Sequence, residues 1–413
     1  MLPARADAVV VGAGAFGLSV AWWLARLGNG RVVLLDQFLP GSQASPRAAG
    51  LFKLIQADET RTRLARLAVE IVTRFEALTG TPLAIERSGS LLIARTPDHA
   101  RMLDHERAQS AAWGVDLEAV DGAEASRRMP ALAPQTIRAA VHTPGDVYIE
   151  EPASLLQAWL QALDTLGVAV LGDTPVTGIR VINGAVSAVR TSQGDIETGV
   201  VVDAAGAWSR AVARLAGVAT PIVALRHQLF ITDPVPGVAP EHPIVRMMDS
   251  AVYVRPARGG LMLGGFEADP LPLDPRERPG FSMADVPLDL RVLRRLEERV
   301  AGQFPVLRDA GLAEHRGGLF TMTPDGRFLA GPSADARGLW LATGCNGSGF
   351  SFSPAIGQVL AELIVGNEPS IDIASLAPGR FAAPLEMNEE QLRAACVWQY
   401  ANYYTPTAER PHW

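Results

Sequence analysis

DAVVVGAGAFGLSVAWWLARLG, residues 7–28, passes from an apolar run through a glycine pattern into an apolar helical stretch. Val9, Val10 and Val11 are β-branched and suit a strand buried on both faces of a parallel sheet. Gly12, Gly14 and Gly17 follow with the G-x-G-x-x-G spacing. The first permits a tight turn, the second lets backbone amides approach a pyrophosphate, and the third lets the helix pack close to the strand. Those amides and the helix N-terminus carry partial positive charge for phosphates. The next strand, in RVVLLDQ, ends at Asp36, nineteen residues after Gly17. A carboxylate there accepts hydrogen bonds from a ribose and disfavours a 2′-phosphate. The unit predicts a dinucleotide site and leaves open whether a nicotinamide comes and goes or a flavin stays.

Outward from this unit, a chain of 413 residues is too long for one core and suggests two domains, one interrupting the other. The net charge of −7, without runs of like charge, argues against a nucleic-acid partner. Cys345 and Cys396 are the only cysteines, too few for a disulfide framework or a cysteine metal cluster, and they suit a reducing compartment. Residues 8–25 are nearly free of charge, but their glycines and strand-to-helix pattern explain the apolarity by burial, so no membrane span is expected. No secretory signal is expected either, which gives a cytoplasmic reading.

FLPGSQASPRAAGLFKLIQADE reads as a long functional loop, and ETRTRLARLAVEIVTRFEALTG as a helix with Leu64, Leu67, Ala68, Ile71, Val72 and Phe75 on one face, closed by Gly80. From SGSLLIA the texture changes to short strands and turns. It returns to strand and helix near GDVYIEEPASLLQAWLQALDTLG, and VVVDAAGAWS carries a buried strand into a small-residue turn. Residues 223–317 are strand-rich, with HQLFITD, AVYVRPA and GGLMLGGFE as candidate strands. GLWLATGCNGSGFSFSPAIGQVLAELIVG then repeats strand, glycine-rich turn and helix, the helix expected over 354–365. This is an α/β chain: a Rossmann-like nucleotide-binding domain assembled from segments 1–87, 148–222 and 318–370. A strand-rich α+β substrate domain is inserted at 88–147 and 223–317, and 371–413 forms an extension. The aromatic tail of that extension is expected to pack against the body or a partner subunit, which leaves a homo-oligomer open.

Four stretches, VVVGAGAFGLSVAWWLA, VVDAAGAWS, TMTPDGRFLAGP and ATGCNGSGFSFSPAIGQVLAELIVG, occur in an order that resembles the flavin-dependent amine oxidoreductases of the D-amino-acid oxidase superfamily. Within it the likeness is to the sarcosine oxidase and dimethylglycine dehydrogenase branch, and YVRPARGGLMLGGFEADP is similar to its dehydrogenase side. The resemblance implies an FAD-binding domain, a retained FAD, and oxidation of a secondary or tertiary amine, such as an N-methyl amino acid, to an imine by hydride transfer to flavin. The electron acceptor would be oxygen or another carrier. The residues it implies around the cofactor are Gly12, Gly14, Phe16, Gly17, Asp36, Ser45, Arg47, Ala48, Ala49, Val176, Ala205, Gly206, Trp208, Gly344, Asn346, Gly347, Gly349 and Phe350. Competing readings are flavin-dependent oxidation of a 2-hydroxy acid and a flavoprotein subunit that needs partner chains.

His227 and Tyr253 match an active-site pair of the dimethylglycine branch, with substrate orientation and proton handling as implied roles; a pair merely satisfied within a sheet is the alternative. Arg255 shares the Tyr253 face by strand alternation and is a candidate partner for a substrate carboxylate, or else a surface ion pair. Sarcosine-oxidising relatives place a carboxylate-binding lysine where this chain has Ser351, so Lys53 is the other candidate. Dimethylglycine dehydrogenase relatives tether flavin through a histidine at the position of Arg47, and sarcosine oxidase relatives through a cysteine at the position of Gly318. The FAD is therefore expected to be non-covalent, with Arg47 a fixed positive charge near it. Cys345 is expected to be a small buried residue. Glu314, His315 and Asp325 make no recognisable metal set, and no metal is expected.

Overall fold

Strands from the start, the middle and the end of the chain form the centre of a six-stranded sheet. The computed structural model describes residues 2–381, 387–405 and 410–411. From one edge the sheet runs Leu329–Pro332, Leu339–Thr343, Val201–Asp203, Ala8–Val11, Val32–Leu35 and Ala169–Leu171. Pairing is parallel except at the Leu329–Pro332 edge. Every residue of Ala8–Val11 and Val32–Leu35 is buried, as β-branched runs in a sheet covered on both faces require. On one face Val10 and Leu34 pack under the helices Ala15–Arg26 and Gly349–Ile364. On the other, Val9, Val11, Val33 and Leu35 meet an antiparallel sheet of Val176–Ile182, Ala185–Thr191 and Gly194–Glu197.

The two helices touch because Gly357 has no side chain: a Cβ there would lie 2.1 Å from Ser19 Oγ. Gly349–Ile364 starts five residues before the expected position and contains Pro354. Proline cannot donate to the carbonyl four residues earlier. The Ser353 hydroxyl donates to that Phe350 carbonyl instead, at 2.9 Å, so the helix continues through.

A second, eight-stranded sheet runs Leu312–Met322, Val223–Thr232, Gly260–Gly265, Val252–Ala257, Ile244–Met247, Ser90–Ala94, Ala139–Thr143 and Glu118–Val120. It is antiparallel except between Ile244–Met247 and Ser90–Ala94. The amphipathic helix Leu290–Val300 covers one face with Leu293, Leu296 and Val300 against Phe230, Val252 and Leu263. The opposite face, with Leu229, Tyr253 and Met262, meets Ala49 and Leu51 from the loop after the first sheet strands. Leu312–Met322 runs unbroken through position 317, where the sequence reading changes segment. Residues 97–128, read as strands and turns, contain the helices Pro97–Ser110 and Gly122–Arg128; the first is polar nearly all round and so has little apolar period to read. No helix among the described residues is long and apolar enough to cross a membrane.

Candidate functional site

One cavity of about 1680 Å³ joins the glycine loop of the first sheet to the inner face of the second. Gly12 is left-handed at φ 102°, and a Cβ there would sit 2.5 Å from the Ala204 carbonyl oxygen. Gly17 does not line the cavity; a Cβ on it would meet Gly12 O at 1.8 Å, so its role is the close helix contact. Gly14 and Phe16 do line it. The helix Ala15–Arg26 begins without its own side-chain cap, and Ser45 Oγ accepts from the Ala15 amide at 3.0 Å. Asp36 accepts from the Ala13 amide at 2.7 Å and the Phe38 amide at 2.8 Å, which shapes the loop and leaves carboxylate lone pairs free toward the cavity. Burial raises its pKa, opposed by those two amides.

Ser45, Arg47, Ala48, Ala49, Val176, Ala205, Gly206 and Trp208 all line the same cavity. Arg47 donates through Nη1 to the carbonyls of Ser42 (2.7 Å) and Gln43, so its charge is fixed by its own loop, and burial lowers its pKa. From the last glycine-rich turn come Asn346, Gly347, Gly349 and Phe350. Asn346 is held left-handed at φ 44° by bonds from the Thr323 amide to Oδ1 (2.9 Å) and from Nδ2 to Gly344 O (2.6 Å). Gly344 itself stays behind the wall, where a Cβ would meet Thr323 at 2.7 Å. Cys345, expected to be buried, is half-buried and lines the cavity, because the left-handed turn at Gly344 and Asn346 brings it to the surface of the loop.

At the sheet end, His227 and Tyr253 come together: His227 Nε2 lies 3.1 Å from Tyr253 Oη. Gly264, directly between their strands, makes room for the phenol, since a Cβ there would be 2.2 Å from Tyr253 Oη. His227 Nδ1 lies 2.8 Å from Tyr400 Oη, and the imidazole stacks on Phe320 with centroids 4.2 Å apart. Burial pushes the His227 pKa down to about 3, so the ring is neutral at ordinary pH. Tyr253 is pushed above the usual phenol range by the same cause.

Arg255 shares the Tyr253 face but does not reach the cavity. The loop at Ala49 covers it, and its guanidinium donates to the carbonyls of Ala49 (2.8 Å), Glu150 (2.9 Å) and Pro256 (2.6 Å) while lying over the Tyr148 ring. The expectation of a carboxylate partner there gives way to a structural cation, each of whose three nitrogens donates to a backbone carbonyl. Lys53 does line the cavity, 3.5 Å from Glu106. Two further buried arginines line it without having been singled out: Arg246, opposite Tyr253 in the sheet, and Arg316. Arg246 donates one nitrogen to Asp146 at 3.2 Å; Asp146 is wholly buried and also accepts from Ser90 Oγ and the Leu54 amide. Arg316 approaches Glu314 at 3.1 Å and has no hydrogen-bond partner at Nη2.

The extension also enters the site. Helix Glu389–Ala401 and the turn after it bring Gln399, Tyr403 and Tyr404 to the cavity wall, with Tyr403 stacked 4.0 Å from Phe266 and bonded to Ser348 Oγ at 3.0 Å. Residues 406–409 and 412–413 of the aromatic tail lie outside the described residues. Among the described residues no three His, Cys, Asp or Glu side chains gather as metal ligands would.

A family model described as "DAO: FAD dependent oxidoreductase" matches residues 7–363. The chain is 29% identical over 393 residues to 4-methylaminobutanoate oxidase (formaldehyde-forming) of Paenarthrobacter nicotinovorans, covering 95% of this chain and 48% of that protein. It is 30% identical over 413 residues to mitochondrial sarcosine dehydrogenase of Homo sapiens, covering 98% of this chain and 44% of the relative. It thus spans about half the length of the curated relatives it matches. In fold it is similar to L-proline dehydrogenase from P. horikoshii, with a TM-score of 0.83 at 24% identity over 92% of this chain and 99% of that one.

Proposed function

Since this chain belongs to the DAO family of FAD-dependent oxidoreductases, we propose that it oxidises a secondary or tertiary amine of N-methyl amino acid type to an imine, which water hydrolyses. The observation that carries the reading is the single cavity leading from the glycine cradle to Tyr253 and Arg246. The residues present fit FAD. Gly14 puts no side chain between the cavity and the start of helix Ala15–Arg26, whose Ala15 amide is taken by Ser45 Oγ, and Asp36 faces the cavity as a ribose acceptor. Segments 1–87, 148–222 and 318–370 would hold FAD and segments 88–147 and 223–317 the substrate. Arg47 and Gly318, which stand where those relatives carry a tethering histidine and cysteine, both favour a non-covalent cofactor, with Arg47 as a fixed cation beside it.

FAD, when bound, supplies the hydride acceptor. The chain supplies binding and orientation. Arg246 and Tyr253, directly paired across two strands, hold the substrate carboxylate, and His227 orients the Tyr253 hydroxyl. Phe266, Phe320 and Tyr403 exclude water from the amine, which favours its neutral, hydride-donating form. With a pKa near 3, His227 takes no proton from an amine at neutral pH. The reading carries with it a cytoplasmic location and oxygen or another carrier as the electron acceptor.

Anaerobic mixing tests it. N-methyl amino acids should bleach the flavin, and 2-hydroxy acids or the corresponding amino amides should do so poorly. Bleaching by hydroxy acids and not by amines would sink the amine reading.

A further inference from the structure

His227 is bonded at both ring nitrogens by phenols from different parts of the chain, Tyr253 in the eight-stranded sheet and Tyr400 in the helix Glu389–Ala401. That helix lies beyond the residues matched by the family model. A neutral imidazole has one N–H and one bare nitrogen, so its two neighbours play unequal parts. Tyr400 fixes which is which. Its side chain is buried and packs against Phe266. Among the described residues, the acceptor within reach of the Tyr400 proton is His227 Nδ1. With the ring proton on Nδ1, the Tyr400 proton would be buried without an acceptor, a bias of roughly 5- to 100-fold against that tautomer.

We propose that Tyr400 is a positioning residue that donates to His227 Nδ1 and holds the imidazole as its Nε2–H tautomer, so that Nε2–H donates to Tyr253 Oη and the Tyr253 proton turns toward the cavity. In this chain of donors His227 is an orienter, and Tyr253 is a hydrogen-bond donor to the substrate carboxylate. Only that last step rests on the amine-oxidising reading; the tautomer does not. The C-terminal helix therefore completes a site whose other parts come from the matched segments.

The test uses the ¹⁵N-labelled holoenzyme. Long-range proton–nitrogen correlation of the histidine rings, with His227 assigned by its loss in His227→Gln, should show a bare Nδ1 and a protonated Nε2. Tyr400→Phe keeps the ring that packs 5.1 Å from Phe266 and removes only the donor, so the two nitrogen signals should move toward each other. Binding of methylthioacetate, whose thioether replaces the amine, should weaken about 3- to 10-fold in Tyr400→Phe, as loss of one ordered neutral hydrogen bond predicts; flavin absorbance reads it. Cys396→Ala, one turn earlier and buried on the same face of that helix, should change neither readout. A protonated Nδ1 in the unsubstituted enzyme overturns the proposal, a measurement that stands even if Tyr400→Phe does not fold. Equal effects from Cys396→Ala would also overturn it, because they would make the role one of packing. The expected tautomer without any methylthioacetate binding would support Tyr400 while removing the substrate reading.

Discussion

Arg246 and Arg255 lie on neighbouring strands, both buried and both on the cavity side of the sheet, and yet they have opposite fates. Arg246 keeps nitrogens toward the cavity because Asp146 engages only one of them, whereas Arg255 donates to three carbonyls under the Ala49 loop. Arg246→Met should therefore weaken an N-methyl amino acid relative to its amide by about 10- to 100-fold, the worth of a charge-assisted hydrogen bond. Flavin reduction measured against concentration for the two ligands checks this, and equal losses for both would remove Arg246 from carboxylate binding. Arg255→Met should instead leave three carbonyls short of donors and lower stability by about 1–3 kcal/mol per unsatisfied buried group at most, with the acid-to-amide preference intact. Strand alternation made the face of Arg255 legible in the sequence, but not the loop that covers it. Arg246 and Tyr400 were missed for a related reason: their meaning lies in partners 100 and 173 residues away, which no local pattern displays.

Among the elements, the first strand, turn and helix were readable because the glycine spacing follows directly after an apolar strand run, although Gly12 and Gly14 also make room for the distant Ala204 and Ser45. Gly14→Val should place a branched side chain against Ser45 Oγ, 3.3 Å from a Cβ, and in the path of the cofactor phosphates; Asp36→Ala should release the Ala13 and Phe38 amides as well as the ribose acceptor. Both proteins should purify largely colourless, and full flavin absorbance in the two would refute the cradle. The helix Gly349–Ile364 was harder, because its proline reads as a start. Only the three-dimensional partner, Ser353 on the Phe350 carbonyl, shows how the helix survives it. Pro97–Ser110 was illegible for another reason. Its charged residues leave too narrow an apolar stripe, and it is its Thr96 cap, accepting from the His99 amide, that marks where it begins.

Over the whole molecule, two buried groups pull stability in opposite directions with pH. Asp203, fully buried with Ala205 N–H on one oxygen and Ser209 beside its carboxyl, is pushed up to about 7 by desolvation. Its raised pKa gives stability that is present below 3.8 and lost as pH rises through about 7. His227, pushed down to about 3, does the reverse: its stability is present above 6.5 and lost as pH falls. Between about pH 4 and 6.5 their slopes oppose one another, each at most about 1.4 kcal/mol per pH unit. Asp203→Asn retains an acceptor for Ala205 and removes one slope, so urea midpoints should then climb with pH, gaining on the order of 2 kcal/mol from about pH 4.5 to 6.5. An unchanged profile would mean that Asp203 titrates normally. Acid precipitation of the holoenzyme should release yellow FAD to the supernatant; colour kept in the pellet would reveal a covalent bond.

The central sheet has one more consequence, in time. Val201–Asp203 lies between Ala8–Val11 and Leu339–Thr343, so a ribosome has made more than three quarters of the chain before the middle strand has both neighbours. The strand of the glycine loop has both its neighbours, Val32–Leu35 and Val201–Asp203, by the middle of synthesis, but Val201–Asp203 must wait with one edge open, and without the helix Gly349–Ile364 over the sheet, while the second inserted segment is made. Such distant pairing is slow to close and leaves edges open to other chains. A nascent chain halted before residue 339 should be protease-sensitive at Val201–Asp203 and fail to retain flavin, whereas one that has released Thr343 should resist cleavage there. Cofactor capture is thus a late event in the life of the polypeptide, although the residues that begin it are made first.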